Sequence, residues 1–103
     1  MRDVVIEPLA KNDLAEAIAH YDLESDGLGL QFLAEVKKFA CGIAENPRVY
    51  AAFQGKTRRA VLSRFPYVLL YQFDDTAVYV LGVFHERRSP RTIRARSRRK
   101  RHP

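Results

Sequence analysis

The chain has 103 residues, 47% of them hydrophobic and 29% charged, with a formal net charge of +6. That length suits one domain rather than two, and so apolar a composition excludes wholesale disorder. The single cysteine, Cys41, excludes an internal disulfide and a cysteine-based zinc site, and no apolar run approaches the roughly 20 residues of a membrane span. Glu7 follows Met1 too closely for a secretory signal, so a soluble, cytoplasmic protein without metal or cofactor is expected.

The charge is unevenly placed. Positions 1–90 hold all 12 acidic residues and 11 of the 18 lysines and arginines, while 91–103 hold the other seven and no acid. The expected organisation is a domain over 1–90 and a flexible, basic tail over 91–103. Such a block suits contact with phosphates or with an acidic protein.

In chain order, Val4-Val5-Ile6 is a strand candidate. A first helix follows Pro8, with Asn12 or Asp13 as its expected cap, and Leu14, Ile18 and Tyr21 share one face at helical spacing. Asp22, Glu24 and Asp26 mark its polar exit and Gly27 its stop. In the second helix Leu28, Phe32, Val36, Phe39 and Ile43 form the apolar stripe, with Glu35, Lys37 and Lys38 off it. Asn46-Pro47 ends it, because the residue before a proline is pushed out of the helical region. The short link predicts an antiparallel helical hairpin.

The second half is rich in Val, Leu, Tyr and Phe, as strands prefer. Three runs are predicted as strands, about Thr57 to Arg64, Tyr67 to Phe73 and Ala77 to Phe84. Phe65-Pro66 and Asp74-Asp75-Thr76 form the connections. The expected class is α+β, in the order β-α-α-β-β-β, with an antiparallel sheet carrying the helical hairpin on one face. In the run from Tyr67 both alternating sets are apolar, so a central strand covered on both sides is expected, by helices on one side and by a partner on the other.

Several local signatures fall in order. Ala15-Glu16-Ala17-Ile18 and Tyr21 lie in the first helix, and Gly27-Leu28-Gly29 precedes Phe32. Asn46-Pro47, Arg59, Arg64-Phe65-Pro66-Tyr67, Tyr71, His85 and Arg88-Ser89-Pro90 follow. Over about positions 3 to 94 the chain resembles the ParE branch of the RelE/ParE superfamily of bacterial toxins. The resemblance implies the fold derived above and a toxin neutralised by an antitoxin encoded beside it. It also implies one of two targets. ParE-like members poison DNA gyrase and are not enzymes, whereas RelE-like members cut messenger RNA on the ribosome.

Metal-free RNA cleavage needs a base for the 2′-hydroxyl, cations for the crowded phosphate and an acid for the leaving oxygen. His85, at an expected strand end, is the acid–base candidate, and Glu86 could orient it. His85, Arg59 and Arg64 are the catalytic candidates of the nuclease reading. Lys56, Arg58, Arg87 and Arg88 are candidates for contact with a target or with phosphate. Arg58 and Arg59 are neighbours on a strand, so only one of them can face a given site. Each residue also has a structural reading: His85 hydrogen-bonded at the strand end, Arg88 paired with Glu86 or a helix carboxylate, Arg64 packed beside Phe65-Pro66, and Tyr67 and Tyr71 in the core.

The chain departs from the RelE-like pattern. Val68 stands where those enzymes commonly carry an arginine, no tyrosine follows Tyr79, and His85 is flanked by Phe84 and Glu86. It also lacks the tryptophan that often follows Arg-x-Pro in ParE-like chains; Ile93 is the nearest apolar residue. The balance favours a gyrase-binding toxin. A ribosome-dependent endoribonuclease is the alternative, and a non-toxic nucleic-acid-binding module, motivated by the tail, is the third reading.

Overall fold

Pro8 sets the start of the first helix, because its fixed φ suits the first helical position and its missing N–H costs nothing there. The computed structural model describes residues 1–98. Strand β1 (Asp3–Ile6) leads into α1 (Pro8–Glu24), with Glu7 at the cap position. Asn12 and Asp13, expected as caps, therefore lie inside the helix. Gly27, at φ 82°, makes the left-handed turn into α2 (Leu28–Glu45). Gly29 then lets the two helices touch: a β-carbon there would lie 2.7 Å from the Ile18 carbonyl oxygen, and Asp22 Oδ1 accepts the Gly29 N–H at 2.9 Å.

The stripe on α2 is as expected, with Phe32, Val36 and Ile43 buried and Leu28 and Phe39 at its margins. Glu35, expected off the stripe, is also buried; its Oε2 accepts the N–H of Arg64 at 2.8 Å. That bond ties α2 to the turn before the central strand. The turn ends β3 (Thr57–Val61) earlier than the sequence suggested.

A short strand, β2 (Ala52–Gln54), was not anticipated; three residues are too few to show alternation. β4 (Tyr67–Phe73) and β5 (Ala77–His85) complete a five-stranded sheet in the order β1-β5-β4-β3-β2. β1 runs parallel to β5 and the other pairs are antiparallel, so the sheet is mixed. β4 is the central strand. Its Tyr67, Leu69 and Tyr71 face the helical hairpin. Tyr21, Phe32, Phe65 and Tyr67 form an aromatic cluster there with ring centroids 4.9–5.9 Å apart.

Val68 and Leu70 face the other way and meet Leu81, Phe84 and Ile93. Ile93 belongs to α3 (Pro90–Ser97), which lies in the stretch expected to be a flexible tail. The folded part thus continues past position 90, and the second face of β4 is covered from within the chain rather than by a partner. Within α3, Ile93 and Ser97 are buried four residues apart while Arg91 and Arg94, and Arg98 at its C-cap, stay exposed. The remainder of the expected tail, 99–103, lies outside the described residues.

One buried-side arginine makes this docking possible. Arg96 Nη1 donates to Asp13 Oδ2 at 2.7 Å and to the Leu81 carbonyl at 3.2 Å, and its guanidinium lies 4.7 Å from the Phe84 ring centroid. Asp13 Oδ2 also accepts the Val83 N–H at 3.0 Å. The carboxylate thus joins α1, β5 and α3. It meets the register shift of β5, where Leu70 pairs with Gly82 but Tyr71 pairs with Val80. Asp13→Ala leaves the Val83 N–H without its acceptor and the Arg96 charge without its carboxylate, and is expected to cost about 2–4 kcal/mol. Urea unfolding of Asp13→Ala, Arg96→Ala and the double variant checks this; the double variant should lose clearly less than the sum of the singles.

Candidate functional site

The seven cationic and histidine candidates do not form one cluster. Register and strand length separate them into four places. β4 runs about 20 Å from Tyr67 to Phe73 at roughly 3.3 Å per residue. His85 pairs with Tyr67 at one end of it, whereas Arg58 pairs with Tyr71 near the other. Arg59 pairs with Leu70 and therefore lies on the α3 face, opposite to His85.

At the first end, His85 and Tyr67 meet edge to face with centroids 5.3 Å apart. They line a cleft of about 230 Å³ together with Asp13, Glu16 and His20 of α1 and with Arg88. His85 Nδ1 accepts the backbone N–H of Arg87 at 3.1 Å. A neutral ring held this way carries its proton on Nε2, so it is a donor and not a ready base. Burial pushes the Tyr67 phenol up from its ordinary value, against the opposing charge of Arg88, and Glu16 and Glu24 add to the rise. Tyr67 is thus a second neutral donor. Arg88 lies over the Phe84 ring at 5.6 Å, and its N–H donates to the His85 carbonyl at 2.9 Å. The arginine that pairs with a helix carboxylate is Arg96, not Arg88. Arg87 is exposed.

Arg64 sits beside α2, where its Nη2 donates to Gln31 Oε1 at 3.0 Å and its guanidinium lies over Phe65. Arg59 lies over Phe53 at 5.8 Å, on the apolar cluster beneath α3. The catalytic candidates His85, Arg59 and Arg64 are therefore not gathered around one point. Val68, on the Arg59 face, is fully buried.

At the far end, Lys56 and Arg58 line a second cleft, of about 370 Å³, with Arg48, Phe73 and Asp74. Neither Arg48 nor Phe73 was singled out from the sequence. Among the described residues no three His, Cys, Asp or Glu side chains come together as a metal-binding group. No described helix is long and apolar enough to cross a membrane.

A family model for the ParE toxin of the parDE type II toxin–antitoxin system matches residues 4–90. The chain belongs to the ParE toxin family. Solved structures agree. It is similar to a chain of the chromosomal ParDE toxin–antitoxin system of Pseudomonas aeruginosa (TM-score 0.72, 15% identity, 82% of this chain and 96% of that one). It is also similar to a chain of the RelBE2 toxin–antitoxin complex of Mycobacterium tuberculosis (TM-score 0.60, 30% identity, 82% and 96%). A third is the isolated RelE toxin of Escherichia coli (TM-score 0.63, 20% identity, 92% and 95%). No curated protein sequence matches. This ParE-family chain is thus the toxin component of a type II toxin–antitoxin system, with the RelE/ParE-like α+β fold.

Two measurements test the geometry of this ParE-family domain. Nitrogen chemical shifts should show neutral His85 with its proton on Nε2; a proton on Nδ1 would contradict the bond from Arg87. Asp74 offers a pH test. The N–H groups of Thr76 and Ala77, followed by the hydroxyls of Thr76 and Tyr79, hold its carboxyl well below the usual carboxylate range. Its folded pKa lies below the unfolded value of about 3.9, so its stabilisation is present above that pH and fades as pH falls through the folded value. Asp74→Asn should therefore lose less stability than the native chain between about pH 5 and pH 2. Equal acid limbs would refute this.

Proposed function

We propose that this toxin stops growth by binding DNA gyrase and does not cut RNA. The observation that carries the reading is the separation of the nuclease candidates. Arg59 and His85 lie on opposite faces of the sheet, and His85 has its Nδ1 occupied by a backbone donor. Charge stabilisation of a phosphoryl transition state needs cations and an acid–base group aimed at one point. Here the Arg59 face carries Val68 in a dry apolar cluster under α3. The family match points the same way.

A cognate antitoxin protein belongs to the same proposal. The related structures from P. aeruginosa and M. tuberculosis are named as toxin–antitoxin systems or complexes. Leu23 and Leu30 flank the turn of the helical hairpin and are 90% and 69% exposed, which suits them to burial by a protein partner.

Labelled thymidine and amino-acid incorporation, followed for minutes after induction of the gene, tests the target. DNA synthesis is expected to fall while translation continues, and the purified chain should block gyrase supercoiling. His85→Ala and Arg59→Ala chains should stay folded and toxic. An immediate fall in translation, abolished by either substitution, would replace this reading with ribosome-dependent RNA cleavage.

A further inference from the structure

The cleft at the Phe73 end of the sheet plays no part in the gyrase reading, and its composition is unusual. Three guanidinium groups converge on one ring: Arg2, Arg48 and Arg58 lie 5.5, 5.2 and 5.8 Å from the Phe73 centroid. Lys56 lines the same cleft and is exposed. Four like charges gathered in this way repel one another, and an anion in the cleft would relieve that repulsion.

The lining contains one carboxylate, Asp74, and its oxygens accept several bonds from the β4–β5 hairpin. Oδ1 accepts from the Thr76 N–H at 2.9 Å, the Thr76 hydroxyl at 3.0 Å and the Ala77 N–H at 2.9 Å, while Oδ2 accepts from the Tyr79 hydroxyl at 3.0 Å. Two of the cations are held in place by carbonyl oxygens. Arg58 Nη1 donates to Tyr50 O at 2.7 Å, and Arg2 Nε donates to Asp74 O at 2.7 Å. Such anchoring lowers the entropic cost of presenting the remaining N–H groups to a ligand.

At the end of α3, Ser97 O accepts from the Thr57 hydroxyl at 2.8 Å, and Ser97 Oγ donates to Gln54 at 3.2 Å. These residues flank the β2–β3 turn that carries Lys56. The chain reaches the exposed Arg98 at this end of the sheet.

We propose that this cleft binds the phosphodiester backbone of a nucleic acid. Cations supplied from three separate segments, at Arg2, Arg48 and Lys56–Arg58, match a ligand with successive charges better than a single small anion. The Phe73 ring is already shared among the guanidiniums, so it has little to offer a base, and binding is expected to be indifferent to sequence.

Fluorescence anisotropy of the full chain with a fluorescein-labelled 20-nucleotide strand and a 20-base-pair duplex tests this. Binding should weaken steeply as salt rises. Arg48→Ala/Lys56→Ala should weaken it at least about tenfold at low salt and reduce the log–log salt slope by about two, with the melting temperature unchanged. Lys37→Ala/Lys38→Ala, the same charge change on an exposed face of α2, should bind as the native chain does. Equal binding by all three proteins, or equal loss in both double variants, would overturn the proposal. So would a polyglutamate peptide binding more tightly than either oligonucleotide, which would assign the cleft to an acidic protein.

Discussion

The structure depends on β4 being apolar on both faces. A strand of this kind cannot tolerate water on either side, so the sheet needs two covers. The helical hairpin supplies one, through the stripe of α2 and the aromatic cluster around Phe32. The other must come from a segment whose charged residues are all basic. Ile93 and the aliphatic reach of α3 meet Val68, Leu70, Leu81 and Phe84, and the Arg96 charge is neutralised on the way in by Asp13.

Four carboxylates act as acceptors for the backbone. Asp22 receives the N–H of Gly29, Asp13 that of Val83, Glu35 that of Arg64, and Asp74 those of Thr76 and Ala77. Each bond fixes a junction: helix to helix, helix to strand bulge, helix to turn, and the last hairpin. Charge-assisted bonds of this type are stronger than neutral ones. Acids and bases nearly balance over positions 1–90, yet Arg2, Arg48 and Arg58 gather around one ring, Phe73, so a body that is nearly neutral by count concentrates cations at one end of the sheet.

The sheet also keeps chemistry apart. Period-two alternation puts Arg58 and Arg59 on opposite faces, and the length of β4 puts His85 and Lys56 at opposite ends. A set of cations that looks concentrated in sequence is thus distributed over four places with different neighbours. That distribution favours binding surfaces over a single catalytic centre, and it fits a family in which the fold alone does not dictate the target.

Much of this was legible in the residues themselves. The helical stripe of α2, the Asn-Pro stop, the alternation along β4 and the short polar turn before β5 are local patterns, and local patterns follow from the 3.6- and 2-residue periods of the backbone. Position within the sheet, the parallel pairing of β1 and the short β2 depend on contacts far along the chain. The same holds for α3: an Arg-rich octet reads as solvated until Asp13, 83 residues away, neutralises Arg96. The candidate site divides in the same way. Residue types identified His85, Lys56 and the arginines as groups able to meet phosphate or target. Which of them share a face was decided only when β3, β4 and β5 took their register, because a side chain's neighbours across a sheet are set by pairing and not by sequence distance.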